Sequence, residues 1–170
     1  MIEYFQLIES KPFLDERGFF QRTFSNDLDI VLNNKISIQS NISYNKNKYT
    51  LRGFHYESKM KKEWKLMSIV QGSIYLVVID LRKYSNTYKK IIEIDSRKVN
   101  NNLFYIPAGY ANAFLTLENK TIISYSMGEE FIKGSYEYIN WQSEIFKEVA
   151  WPYFPVVISE KDRNSKKIIL

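Results

Sequence analysis

The chain has 170 residues, 45% of them apolar and 25% charged, with a net charge of +5 and no cysteine. That length suits one folded domain over residues 1–170, and the missing thiols exclude disulfides and thiolate chemistry. No apolar run is long enough to span a bilayer, and Met1-Ile2-Glu3-Tyr4-Phe5 lacks the basic-then-apolar pattern of a secretory leader, so the expected setting is cytoplasmic, with no membrane partner.

The basic excess is spread over short clusters: Lys59-Met60-Lys61-Lys62, Lys89-Lys90 and Lys166-Lys167. A nucleic-acid binder concentrates such charge in a stripe or a recognised motif. The expected anionic partner is therefore a phosphorylated small molecule, and no nucleic acid.

In chain order, Asp15-Glu16-Arg17-Gly18 is a turn signal ahead of Phe19-Phe20. Asn26 to Leu32 is the best helix candidate, with Ser25 or Asn26 as cap and Asp27 and Asp29 in the first turn. From Ile36 the pattern turns extended, and Asn45-Lys46-Asn47-Lys48 reads as a polar loop. Strands are expected over Leu51 to Glu57, Lys65 to Val70 and Ser73 to Leu81, the last two around a hairpin signal at Gln71-Gly72. Ile74 to Ile79 is apolar on both faces, which predicts a central strand covered on both sides. Leu103 to Ile106, Ala113 to Leu117 and Thr121 to Ser126 add short strands, with turns at Pro107-Ala108-Gly109 and Glu118-Asn119-Lys120. Ser143 to Val149 is read as a short helix, and an irregular tail starts at Trp151-Pro152. With 13 Tyr, 11 Phe and recurrent Ile and Val, the composition favours strands, and short strands between regular turns indicate an all-β sandwich or jelly roll.

His55 is the single histidine, in Leu51-Arg52-Gly53-Phe54-His55-Tyr56. Imidazole is the side chain best suited to moving protons near neutral pH. One histidine also speaks against a multi-histidine metal site. If Leu51 to Glu57 and Lys65 to Val70 are neighbouring strands, His55 and Lys65 share a face. Strict alternation sets Arg52 on the face opposite His55, unless Gly53 allows a local kink or Arg52 contributes from a different wall.

An ordered series of segments carries a resemblance. It runs through Phe13-Leu14-Asp15-Glu16-Arg17-Gly18-Phe19-Phe20, Gln39-Ser40-Asn41-Ile42-Ser43 and Leu51 to Tyr56, then Lys65-Leu66, Gly72 and Val78-Ile79-Asp80-Leu81-Arg82. Ile106-Pro107-Ala108-Gly109-Tyr110-Ala111-Asn112-Ala113-Phe114, Trp141, Trp151-Pro152 and Ser159-Glu160-Lys161-Asp162 close it. The chain resembles the dTDP-4-dehydrorhamnose 3,5-epimerase family, the RmlC-like branch of the cupins. The resemblance implies an all-β cupin jelly roll (a double-stranded β-helix) with a few short helices. It also implies a homodimer whose N-terminal strands pair across subunits, and no metal or cofactor. The implied substrate is a dTDP- or GDP-linked 4-keto-6-deoxy sugar or 4-keto heptose, on the way to capsule or lipopolysaccharide.

By the same resemblance His55 is the base that removes a hydrogen next to the C4 ketone, Asp162 fixes its tautomer, and Lys65 stabilises the enolate oxygen. Arg17 and Arg52 match arginines that clamp the diphosphate, Phe19 and Phe20 are stacking surfaces for the nucleotide base across the dimer or, for one of them, a plain core aromatic, and Gln39 and Asn41 are polar substrate contacts. Two positions depart from the pattern. The family's acid, a tyrosine, falls on Phe131, and a second histidine is Asn112. A phenyl ring keeps shape without a proton, and an amide hydrogen-bonds without shuttling one. The expectation is an epimerase that inverts C3 only, because the missing tyrosine is associated in the family with reprotonation after the C5 step. Water or one of Tyr125, Tyr136 and Tyr138 would then return the proton. The alternatives are a 3,5-epimerase using another tyrosine and a non-catalytic nucleotide-sugar-binding cupin.

Overall fold

The computed structural model describes residues 4–24, 36–58, 63–100 and 103–167. The expected helix over Asn26 to Leu32 and the Lys59 to Lys62 cluster lie outside them. Two antiparallel sheets face each other. The first runs β1 (Gln6–Ile8), β9 (Leu103–Ile106), β6 (Lys65–Gln71), β11 (Thr121–Met127) and β4 (Gln39–Asn45). The second runs β12 (Tyr136–Tyr138), β5 (Thr50–Glu57), β10 (Tyr110–Thr116), β7 (Ile74–Asp80) and β8 (Ile91–Asp95), with β13 (Val157–Ile158) parallel to β5. A separate hairpin pairs β2 (Phe13–Asp15) with β3 (Gly18–Phe20). This is the all-β architecture expected from the strand spacing, and the jelly roll that the resemblance implies.

β7 lies between β10 and β8 and is apolar on both faces for the expected reason. Ile74, Leu76 and Val78 pack between the sheets with Met67, Phe104, Ile106, Phe114 and Ile123. Val77 and Ile79 turn outward, packing with Leu51, Phe54, Ala111 and Leu115 beneath Ile139, Phe146 and Val149 of the C-terminal segment. Phe54 is fully buried and stacks on Phe146 with ring centroids 3.8 Å apart, a contact of the kind that adds about 1 kcal/mol beyond area burial. The stretch from Ile139 to Val149 thus covers the outer face of the second sheet.

Three sequence expectations are corrected. Gln71-Gly72 is a corner and not a hairpin: β6 pairs with β9 and β11, whereas β7 pairs with β8 and β10. Corner and hairpin share a local requirement, a left-handed glycine. Gly72 has φ +81°, and a Cβ there would lie 2.5 Å from Thr121 Oγ1. For the same reason β5 and β6 are not neighbours but members of opposite sheets. Over Ser143 to Val149 the helical part is a single 3-10 turn, Glu144–Phe146. The strands β1, β8 and β12 carry no strong sequence signal, being short or part-polar.

The strand parity problem at Arg52 is resolved by a bulge. Asn112 pairs with His55 and Phe114 with Arg52, so β5 advances one residue more than β10 over that stretch, and Arg52 and His55 come to the same cavity. An extra residue on one strand re-aims the side chains beyond it. Gly53 makes this possible. Its φ is +121°, and a Cβ would fall 2.5 Å from the Asn112 carbonyl oxygen and 2.6 Å from Ala113 Cα. Gly53→Ala is therefore expected to destabilise the fold by about 3 kcal/mol or more, as overpacking and backbone strain add, with the midpoint of urea unfolding as the measurement.

Candidate active site

A cavity of about 300 Å³ opens between the two sheets. β5 contributes Arg52 and His55, β6 Lys65 and Met67, and β10 Asn112 and Phe114. Gln39, Asn41 and Ser43 enter from β4, Tyr125 and Met127 from β11, Tyr136 and Tyr138 from β12, and Phe131 from the segment before β12.

His55 Nε2 lies 2.6 Å from Asp162 Oδ1. Asp162 comes from far along the chain, and the tail delivers it. β13 pairs with β5 through Val157–Thr50 and Ile158–Leu51. Ser159 then caps a single-turn helix, α1 (Glu160–Arg163), its hydroxyl accepting from the Asp162 backbone N–H at 3.1 Å. The Asp162 side chain is only 5% exposed, and its other oxygen accepts from the Gly53 N–H at 3.4 Å. Burial pushes this carboxyl up, but the His55 and backbone contacts outweigh it, and the net shift is below the ordinary value of 3.8. A carboxylate accepting from Nε2–H selects the tautomer whose Nδ1 carries a lone pair. The imidazole thus has an anchored edge and a basic edge. Tyr138, directly opposite on β12, packs edge-on at 4.7 Å.

Lys65 faces His55 from the opposite sheet, not from a neighbouring strand. Its Nζ pairs with Glu63 Oε1 at 2.9 Å and reaches Asn112 Oδ1 at 3.5 Å. Glu63 was not anticipated, and the only sequence cue is its i,i+2 spacing from Lys65. It is 3% exposed, and its Oε2 has no hydrogen-bond partner. Burial raises its pKa, Lys65 offsetting part of the effect. The pair fixes a cation on the cavity wall across from the imidazole. Such a cation stabilises charge that develops on a substrate oxygen.

The other anticipated residues divide into two groups. Arg52, Gln39, Asn41, Asn112 and Phe131 all line the cavity. Arg52 donates through Nε to Asn45 Oδ1 at 2.8 Å. Asn45, expected in a loop, is the last residue of β4 and holds that guanidinium in place. Gln39 donates to Asn41 Oδ1 at 2.8 Å and accepts from the Phe131 N–H at 2.8 Å. Phe131 stacks on Tyr136 with centroids 4.9 Å apart. Arg17 and Phe19 do not join the cavity within one chain. They sit on the β2–β3 hairpin, where Arg17 pairs with Asp15 and Phe13, Leu14, Phe19 and Phe20 are 65–77% exposed. Among the described residues no group of three or more His, Cys, Asp or Glu is arranged to hold a metal, and no helix is long and apolar enough to cross a membrane.

Comparison with known proteins agrees with this geometry. The family model for dTDP-4-dehydrorhamnose 3,5-epimerase matches residues 1–169. The enzyme of that name from Methanothermobacter thermautotrophicus is 33% identical over 171 residues, covering 95% of this chain and 88% of its own. The Bacillus anthracis epimerase, crystallised with TDP and pyrophosphate bound, is 28% identical and superposes with a TM-score of 0.83, over 97% of this chain and 100% of that one. The Legionella pneumophila enzyme, in complex with dTDP-4-keto-L-rhamnose, is 28% identical with a TM-score of 0.82, over 95% and 86%. Fold and site define a jelly-roll protein of the sugar-nucleotide epimerase class. The chain belongs to the dTDP-4-dehydrorhamnose 3,5-epimerase family.

The buried dyad has a measurable signature. A carboxylate whose pKa is depressed in the folded state stabilises the fold above its unfolded pKa, and that contribution is lost as pH falls through the folded value. Asp162→Asn should cost about 2 kcal/mol at neutral pH, the worth of a charged hydrogen bond. It should also flatten the fall in unfolding free energy below about pH 4, followed by urea titration at stepped pH.

Proposed function

We propose that this protein is a cofactor-independent epimerase of a nucleotide-diphosphate 4-keto-6-deoxy sugar or 4-keto heptose, acting by proton transfer at the carbon next to the ketone. The observation that carries the reading is the 2.6 Å His55–Asp162 contact, with Nδ1 left basic and Lys65 on the facing wall. A ketone acidifies the hydrogens on its neighbouring carbons. His55 removes one, Lys65 and the Asn112 amide stabilise the enolate oxygen, and a proton delivered to the opposite face inverts the centre. Arg52, held by Asn45, suits a diphosphate oxygen, since a guanidinium keeps its charge at any working pH. The thymidine nucleotides bound by the Bacillus anthracis and Legionella pneumophila proteins favour a dTDP-linked substrate over a GDP-linked one.

Inversion at C3 alone is the reading supported by Phe131, on which the family's tyrosine is expected to fall and which has no proton to give. The exposed β2–β3 hairpin, carrying Arg17 and Phe19, supports a homodimer in which this arm reaches the neighbouring subunit's cavity. Cytoplasmic synthesis of a sugar for capsule or lipopolysaccharide is the setting that such a substrate implies. A purely binding role is the second reading. The retained base, orienting carboxylate and cation favour catalysis, since binding alone requires no oriented imidazole.

In heavy water, a dTDP-linked 4-keto-6-deoxyhexose is expected to gain deuterium at C3, with little at C5, read by NMR. Equal labelling of C3 and C5 overturns the single-centre proposal, and binding without any labelling supports the second reading. His55→Asn should abolish labelling with the fold intact. Lys65→Ala should slow it roughly 10²- to 10³-fold, the usual cost of losing an oxyanion donor.

A further inference from the structure

Lys65 is the cation that stabilises the enolate oxygen in the reading above, and the group behind it carries the opposite charge. An ammonium has three N–H donors. One is spent on Glu63 Oε1 at 2.9 Å, and a second reaches Asn112 Oδ1 at 3.5 Å, which leaves the third for a substrate oxygen. The i,i+2 spacing sets Glu63 and Lys65 on one face of an extended chain. Trp64 between them is locked in place. It is 5% exposed, its carbonyl oxygen accepts from the Gly128 N–H at 3.1 Å, and a Cβ on Gly128 would collide with its indole. Glu63 is thereby pinned against the ammonium.

Only Lys65 favours the ionised form of that carboxyl. Its Oε2 is buried with no hydrogen-bond partner, and burying an ion without full pairing is costly. Lys65 pairs with Met127, and the same register carried past Gly128 sets Glu63 opposite Glu129, a like charge. Glu57, at the end of β5, adds to the negative field. Burial pushes the Glu63 pKa above the ordinary 4.5; Lys65 works against burial, while Glu57 and Glu129 work with it. The Tyr125 phenol of β11 feels the Glu63 charge in turn. Around Lys65 stand the Tyr136 ring, 5.5 Å from Nζ to centroid, and His55 across the cavity. Lys59, Lys61 and Lys62 lie outside the described residues.

We propose that Glu63 is a positioning residue that gates the charge of Lys65: it aims the ammonium in either protonation state, and while ionised it offsets the positive charge that Lys65 turns on a developing oxyanion. The proposal rests on the epimerase reading and deepens it, by giving the oxyanion cation a strength that depends on pH. As pH falls, solvent supplies a proton to the carboxylate. The remaining carbonyl oxygen still accepts from Nζ, and Lys65 faces the substrate as an uncompensated cation. As pH rises, that proton returns to solvent and the ion pair forms again.

Glu63→Gln keeps an acceptor oxygen beside Nζ and carries no charge at any pH. The measured quantity is the rate of deuterium uptake by a dTDP-linked 4-keto-6-deoxyhexose in heavy water, as the ratio of Glu63→Gln to unaltered protein at stepped pH. Titration of His55 is common to both proteins and leaves the ratio. The ratio is expected near one at the acid end, where Glu63 holds its proton, and to climb to roughly tenfold at the alkaline end, the scale of one charge a few ångströms from an oxyanion. A ratio that does not change with pH overturns the proposal, and so does a ratio below one throughout. Carboxyl ¹³C NMR of the unaltered protein reads the same group directly. One glutamate is expected to titrate at higher pH than the rest and to be missing from Glu63→Gln; glutamates that all titrate together overturn the proposal. Absence of any exchange in the unaltered protein overturns the epimerase reading, and the carboxyl titration then decides the charge of Glu63 by itself.

Discussion

The contact between His55 Nε2 and Asp162 Oδ1 is the interaction on which site and tail both depend. A carboxylate buried without a partner is among the costliest features a fold can carry. Asp162 is tolerated because it meets a ring N–H, a backbone N–H from Gly53 and the end of a capped helical turn. The tail therefore docks in one register: β13 beside β5, Ser159 at the cap, and Lys166 bridged to Ile139. The same contact that satisfies the carboxylate selects the imidazole tautomer, so a stability requirement and a chemical one are met by a single geometry.

Around that dyad the two sheets divide the labour. The second sheet carries His55 and, through the bulge at Gly53, turns Arg52 to the same side. The first sheet carries the facing cation, with Glu63 buried behind it. Opposed walls suit the proposed reaction, in which a proton leaves a carbon toward one side and negative charge develops on an oxygen at the other. Asn112 and Phe131 fit inside this frame. Asn112 hydrogen-bonds Lys65, and Phe131 supports Tyr136 by stacking. Both line the cavity without adding a titratable group to it.

Much of the architecture was legible from local pattern. Alternation and turn residues indicated an all-β roll, and the doubly apolar run of β7 announced a strand covered on both faces. What local pattern missed was partnership. Gln71-Gly72 reads the same at a hairpin and at a corner between sheets, since both need a left-handed glycine. Strict alternation misassigned Arg52 because one bulged residue inverts the parity of everything beyond it. Asn45 reads as loop in the sequence because an asparagine beside lysines has no strand signature, though it ends β4 and its amide holds Arg52. Glu63 had no signal beyond its spacing from Lys65, because burial belongs to the packed state.

The residues fit for the chemistry, namely a lone imidazole, a lysine near it in sequence and an arginine beside it, are evident from composition and order. Chain-local rules suffice for them, because side-chain chemistry and strand period are properties of a few adjacent residues. Which groups meet was settled by closure of the roll. His55 and Asp162 are separated by 107 positions, and His55 and Lys65 lie on different sheets. Such meetings arise from burying two apolar faces against each other and docking the tail across one of them, a many-body outcome that no short window of residues encodes.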